Sequence, residues 1–345
     1  MAMRSPSIRL APSLAACALA GCTGTGVQDV LAPAGPQAAR IAAWFWFSFA
    51  LAVAVFVAFA AILFWGLFRA HRRHLRGEDT ELPDKHGNRL VIWGGVVIPT
   101  VILLALLVFS AYTDRMISRL GRGPGEKPLT IEVVGEQFWW QVRYLDPEHP
   151  HREFITANEI HVPAGRPVRL LLKSRDVIHS FWVPNLNGKQ DLVPGRTNDL
   201  VVQVDDPGTY RGQCAEFCGV QHAKMAMLVV AHPPREFDAW WESQLRPHAP
   251  PSDPEAARGE EVFMTNGCGT CHSIRGTLAK GTVAPDLSHF GSRRTVAAGT
   301  LPNTKGHLGG WIADPQAIKP GNRMPPVPLK GEELRALVSY LHSLK

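Results

Sequence analysis

Two stretches of this chain are too apolar and too long to be accommodated by a single water-soluble domain. Residues 41–68 are almost wholly apolar, with Trp44, Trp46 and Trp65 near the ends, and residues 90–112 form a second such run edged by Trp93 and Tyr112. At about 1.5 Å of rise per residue, a helix over either run crosses a hydrocarbon layer of about 30 Å, and the edge aromatics suit its two interfaces. The length argues against a buried hairpin of a soluble protein. Between the runs, residues 69–89 carry Arg69, Arg72, Arg73, Arg76, Lys85 and Arg89. Basic residues beside a span set its orientation, so this loop is expected in the cytoplasm and everything after Tyr112 outside. Much of the net charge of +6 sits here, which removes the reason to expect a nucleic-acid partner.

The first residues agree with that topology. Arg4 and Arg9 precede a short apolar stretch, Leu14–Ala20, and then Leu19-Ala20-Gly21-Cys22, the pattern of a secretory signal. It resembles a bacterial lipoprotein signal, which implies removal of residues 1–21, Cys17 included, and lipidation of Cys22. A plain signal or an uncleaved leader stays open. Two crossings return the chain to the face where an exported Cys22 would sit.

Beyond a Gly/Pro-rich connector, Gly121–Pro128, apolar residues alternate, as in Leu129, Ile131, Val133 and then Val168, Leu170, Leu172, broken by Pro and Gly turns. This period predicts an all-β sandwich over residues 129–232. A short helix over Arg235–Leu245 and a Pro-rich stretch, Pro247–Pro254, occupy residues 233–254 as a linker. Residues 255–345 read as a third folded part, all-α, closing on a helix over Glu332–Leu344. No internal repeat is visible. The fold class expected is a multidomain membrane protein: a two-helix hairpin, a sandwich and a helical domain.

Within the sandwich, Gln213-Cys214-Ala215-Glu216-Phe217-Cys218-Gly219-Val220-Gln221-His222-Ala223-Lys224-Met225 places two thiols, an imidazole and a thioether in one loop. These soft and borderline donors suit copper. Cysteines four apart can turn both sulfurs inward and bridge two ions, with His and Met closing the outer positions. A further ligand is expected from His179, in Asp176-Val177-Ile178-His179-Ser180-Phe181-Trp182. An exported Cys pair is by default a disulfide, but a disulfide explains neither the His and Met at fixed offsets nor the distant His179.

These loops resemble the CuA domain of cytochrome c oxidase subunit II, a cupredoxin-like sandwich behind two membrane spans. The resemblance implies a dinuclear copper centre bridged by Cys214 and Cys218, with His179 and His222 binding one ion each, Met225 a weak ligand and Glu216 contributing its backbone carbonyl. In that family this glutamate side chain also approaches a magnesium site at the junction with subunit I, which makes Glu216 a candidate there too. Two departures stand out. The family's Gln-Trp-Tyr-Trp, whose first Trp receives electrons at the surface, reads Gln137-Phe138-Trp139-Trp140 here, so Phe138, Trp139 and Trp140 are the candidates for electron input. The family's glutamate three residues before the second-span Trp is Leu90, which gives no support to a proton role at that position.

Gly267-Cys268-Gly269-Thr270-Cys271-His272 contains Cys-x-x-Cys-His, which attaches a c-type haem covalently through Cys268 and Cys271 and offers His272 to the iron. A redox dithiol or half a zinc site fits less well, since no second Cys/His pair follows. The second axial ligand is expected well downstream, at Met324 in Gly321-Asn322-Arg323-Met324-Pro325-Pro326, with His289 and His307 as conceivable substitutes. His/Met ligation gives the high potential of an electron carrier. The region resembles a class I cytochrome c, with Gly259 in its first helix.

Together these resemblances imply a caa-type arrangement: a membrane-bound subunit that accepts electrons at haem c and passes them through CuA to a catalytic subunit I. There, oxygen is reduced to water with proton translocation. Implied partners are subunit I, with subunit III beside it, a soluble or membrane cytochrome donor and the lipid bilayer. The location implied is the bacterial inner membrane, with both redox domains on its periplasmic side. No residue set for oxygen chemistry lies in this chain. A CuA subunit of a nitric oxide reductase would look the same from this sequence; a quinol oxidase subunit lacks the copper and haem motifs, and a copper chaperone needs neither Met225 nor the haem.

Overall fold

The computed structural model describes residues 27–77, 84–120 and 128–345. Cys17, Cys22 and the signal-like segment lie outside the described residues, as does most of the connector after residue 120.

One unit holds the apolar runs. Helix α1, Pro36–Leu75, extends past the apolar run at both ends. A second helical stretch, Gly87–Arg119, is likewise long enough to span. It is not uniform: α2 (Asp84–Ile92) and α3 (Ile98–Arg119) are joined by a wider π turn, Trp93–Val97. Pro99 lies just after this turn and has no N–H to return to the carbonyl four residues back, a recognised reason for a helix to open locally. Trp44 packs on Phe109 with ring centroids 4.8 Å apart, joining the two helices. The most apolar window of each is unburied. Helices apolar all round and uncovered by protein require an apolar solvent, which a bilayer supplies. They anchor the chain in a membrane.

The other unit contains two parts, each with its own hydrophobic core. In the first, alternation builds a five-stranded sheet, β3-β2-β1-β5-β8, with β3 (Phe154–Ala157) and β8 (Asn198–Gln203) at its edges, and a three-stranded sheet, β4-β10-β9. Strand β1 (Leu129–Glu136) pairs antiparallel with β2 (Trp139–Leu145) and parallel with β5 (Pro167–Ser174). Strand β10 (Ala226–His232) pairs parallel with β4 (Glu159–Pro163) and antiparallel with β9 (Gly208–Gln213). The inward residues of these sheets, among them Ile131, Val133, Trp140, Val142, Leu170, Leu172 and Val229, form a sandwich core. Helix α4, Pro234–Leu245, closes one side with Phe237 and Trp241.

The second domain is helical. Helix α5, Pro254–Thr265, is capped by the Asp253 side chain accepting from the Ala256 amide, which satisfies an amide the first turn leaves unpaired. It crosses the last helix, α6 (Gly331–Ser343), at Gly259, where any side chain would run into the Ala336 carbonyl. Phe263, Leu337, Tyr340 and Leu341 fill the core between them.

Candidate functional site

The sandwich brings its ligand candidates together at one end. His179 opens the short strand β6 (His179–Phe181), while Cys214 and Cys218 lie on the loop between β9 and β10, and Met225 immediately precedes β10. The two sulfurs are 3.9 Å apart, nearly twice the roughly 2.05 Å of a disulfide, and both cysteines are free. His179 Nδ1 lies 3.9 Å from Cys214 Sγ and His222 Nδ1 lies 3.7 Å from Cys218 Sγ, so each imidazole serves a different sulfur. Met225 Sδ is 3.8 Å from Cys218 Sγ, and the Glu216 carbonyl is 3.2 Å from Cys214 Sγ. Cys214, Cys218, Met225 and His179 are buried.

The surroundings prepare these donors. His179 Nε2–H donates to Asp176 Oδ1 at 2.8 Å, which leaves the Nδ1 lone pair facing the sulfurs. A carboxylate behind a ligating histidine fixes its tautomer and ring orientation. Burial raises the Asp176 pKa, but hydrogen bonds from His179 and from the Gln137 and Val177 amides outweigh it and hold the carboxyl below its ordinary value. Hydrogen bonding with Cys218 holds the Cys214 thiol well below its ordinary value, and Cys218 in turn holds its proton more tightly. Gly135 allows this packing: a Cβ there would lie 2.7 Å from His179 Cδ2. The buried, converging soft donors fit a pair of copper ions. The Glu216 side chain points away, with its carboxylate 3.5 Å from Lys189 Nζ.

The helical domain holds a cavity of about 420 Å³ lined by Cys268, Cys271, His272 and Met324. His272 Nδ1–H donates to the Pro285 carbonyl at 2.7 Å, leaving Nε2 free as a ligand atom. The Met324 backbone is fixed on both sides, its amide by Asn322 Oδ1 and its carbonyl by Gln316 Nε2, each at 2.8 Å. His289 Nε2–H donates to the Gln244 carbonyl and does not line the cavity; neither does His307, which is exposed beside Pro302. Arg293 brings positive charge to the cavity, and its buried Nε has no acceptor in the protein. An apolar slot with two thiols, a free imidazole nitrogen, a thioether and one unpaired guanidinium donor fits a haem bearing acidic groups.

The cavity is walled on one side by the copper domain: Gln137, Phe138, Trp139 and Asn158 all line it. Gln137 Nε2 also donates to the Cys218 carbonyl at 2.6 Å, which ties this wall to the copper loop. Trp140 has no exposed surface and packs edge-on to Phe181 inside the core. Of the three aromatics picked out as electron-input candidates, only Phe138 and Trp139 therefore reach the cavity. Asp176, Gly135, Arg293 and the Gln137 hydrogen bond were not assigned from sequence. Asp176 had one available signal, its position three residues before His179.

The fold and its sites define a membrane-anchored copper-type sandwich joined to a c-type cytochrome. The description of the cytochrome c oxidase subunit II periplasmic domain matches residues 148–232, and that of cytochrome c matches residues 256–345. Cytochrome c oxidase subunit 2 of Alkalihalophilus pseudofirmus is 37% identical over 332 residues, covering 95% of this chain and 94% of that protein. The protein of the same name from Bacillus subtilis is 31% identical, covering 82% and 83%. A crystal structure of the periplasmic domain of subunit II of cytochrome oxidase of Bradyrhizobium japonicum is 30% identical, covering 35% of this chain and 95% of that one at a TM-score of 0.32. The chain belongs to the cytochrome c oxidase subunit 2 family and carries a cytochrome c domain in the same polypeptide. Membership implies a copper centre in the sandwich, haem in the helical domain and a haem-copper oxidase complex around a subunit I.

Proposed function

We propose that this chain receives electrons singly from a cytochrome donor at a covalent haem c and delivers them through a dinuclear copper centre to subunit I, where oxygen is reduced with proton translocation. The observation that carries this reading is the shared wall: Phe138 and Trp139 line the cavity that holds His272 and Met324, and neighbouring Gln137 is bonded to the Cys218 carbonyl. When bound, the two groups supply one-electron redox chemistry. The chain's own residues determine where that chemistry happens. Cys214, Cys218, His179, His222, Met225 and the Glu216 carbonyl would hold the copper; Cys268, Cys271, His272 and Met324 would hold the haem. Asp176 keeps His179 in one orientation, and the buried shell around Cys214 and Met225 excludes water. Both features keep rearrangement small when charge arrives or leaves.

The location that fits this role is the bacterial inner membrane, with both redox domains on the periplasmic side and Cys22 lipidated on that same face. Phe217, 77% exposed on the copper loop, offers an apolar face to a partner such as subunit I. A magnesium ion at that junction would draw on the Glu216 carboxylate, in competition with Lys189. The test is metal and haem analysis with optical and electron paramagnetic resonance spectra on the detergent-purified chain coexpressed with its neighbouring membrane subunits. Two coppers with a mixed-valence signal and one covalent haem are expected. Haem without the dinuclear signal, in fully metallated and oxidised material, would overturn the relay.

A further inference from the structure

Lys319 is the most deeply buried lysine among the described residues, with 3% of its surface exposed. Its amine bridges two domains, donating to the Phe138 carbonyl of the copper domain at 2.8 Å and to the Ala297 carbonyl of its own domain at 3.2 Å. Ala297 belongs to an unusual turn in which Ala297, Ala298 and Gly299 all have positive φ, at 57°, 57° and 72°. Two alanines in the left-handed region are unfavourable by themselves and persist only where the surroundings impose them. Here the surroundings are the seam between the domains. Ala298 accepts from the Ala226 amide at 3.0 Å, directly beside Met225, and a Cβ on Gly299 would lie 2.8 Å from that of Ala226.

Other contacts run along the same seam. Gln221 Nε2 donates to the Pro320 carbonyl at 2.8 Å, Lys224 Nζ donates to Ile318, and Glu159 Oε1 accepts from the Arg294 and Thr295 amides at 2.7 and 3.1 Å. The linker stretch is pinned as well: the His248 amide donates to the Arg275 carbonyl, and Arg275 reaches Leu245 and Glu153.

The geometry points to Lys319 and the Ala297–Gly299 turn as a clasp that fixes the haem-binding domain against the copper loop, making Lys319 a positioning residue that holds the two centres at one separation. This rests on the relay reading and deepens it: electrons cross within a fixed body, without a swing of the cytochrome domain about residues 247–254. An amine bonded to one buried and one part-buried carbonyl cannot be removed silently, because the carbonyls lose their donor and the turn loses the contact that holds its conformation.

The test is hydrogen exchange on the full, metallated chain in its complex. In Lys319→Met, exchange of the segment containing the Ala226 amide should rise about tenfold to a hundredfold. Segments of α5 and β1, away from the turn, should be unchanged, which a general loss of stability would not allow. Unchanged exchange at Ala226 overturns the clasp, and so does equal loosening of all three segments. Should that variant fail to load haem or copper, Gly299→Val pushes on the turn from the seam side and should give the same local pattern, with uniform or absent loosening overturning the clasp. In the unaltered protein, transfer from photoreduced haem to copper should be a single phase insensitive to added glycerol; a viscosity-dependent phase overturns fixed docking. Absence of any transfer would overturn the relay instead, while the exchange pattern would still report on the clasp.

Discussion

The Asp176 carboxylate is shared between the two domains: Oδ1 accepts from His179 Nε2 at 2.8 Å, and Oδ2 lies 3.3 Å from the guanidinium of Arg323, the residue next to Met324. A candidate copper ligand and a candidate haem ligand are thus separated by one carboxylate and one arginine. The two contacts differ in worth. Arg323 is 62% exposed, and an exposed pair of this kind contributes about 0–1 kcal/mol. The bond to buried His179 fixes a candidate ligand.

Asp176→Ala should therefore weaken copper binding by about tenfold to a hundredfold, the usual effect of losing a carboxylate behind a ligating histidine. Arg323→Ala should leave it nearly unchanged. Competition with a copper chelator of known affinity on the purified complex would measure both. Equal affinities in Asp176→Ala and the unaltered protein would remove this role from Asp176.

Gly135→Ala acts on the same histidine from the opposite side. The added methyl would meet His179 Cδ2 at 2.7 Å and must displace the ring. Overpacking a filled core costs about 1–3 kcal/mol, so the chain should still fold and carry haem while the dinuclear copper signal is lost or altered. An unaltered electron paramagnetic resonance spectrum at full copper loading would show that the ring yields without moving its Nδ1.

The candidate ligand motifs stand out in the sequence because each is local. Cys214 to Met225 sit in one loop, and Cys268 to His272 lie within one turn and the residue after it. The spans were legible from hydropathy, but not the π turn at Trp93–Val97, which depends on how the backbone accommodates Pro99. What could not be read is the seam. Lys319 meets Phe138 across 181 positions of sequence, and nothing in Ile318-Lys319-Pro320 distinguishes a buried lysine from a solvated one. Alternation predicts a sandwich over residues 129–232 but does not say that its Gln137–Trp139 wall closes a cavity in another domain. The unusual backbone at Ala297 and Ala298 is likewise imposed by the seam, since alanine has no preference for that conformation.

His161 Nδ1 and His232 Nε2 lie 2.7 Å apart, with the His161 ring stacked 4.2 Å from that of Trp240. Two imidazoles at this distance share one hydrogen. Burial lowers both pKa values, His232 to about 4, with His161 and Arg294 adding to the effect. Glu159, 3.8 Å from His161 Nε2, opposes it, while Arg293 and Arg294 reinforce it. In the unfolded chain both titrate near about 6.5. Between about pH 6.5 and pH 4 the unfolded state therefore binds more protons than the folded one, and stability falls as pH drops through that window. Thermal unfolding of the extracytoplasmic part should show this decline, and His232→Gln should flatten it. A parallel decline in the variant would assign the pH dependence elsewhere.

Met324 and His272 line one cavity, and the two histidines that could replace Met324 are placed otherwise. His289 is buried with Nε2 3.2 Å from the Gln244 carbonyl, and His307 is exposed with Nδ1 3.1 Å from the Pro302 carbonyl. Moving either to the iron would break these contacts and carry its backbone across the domain. Axial ligands set haem potentials over about 0.8 V, and replacing a thioether by water or a stronger donor lowers the potential. Met324→Ala should change the haem spectrum and lower its potential by on the order of 0.1 V or more. His289→Gln and His307→Gln should leave both within error. Redox titration of the haem in the three variants decides it: an unchanged potential in Met324→Ala, with a shift in either histidine variant, would transfer the axial role to that histidine.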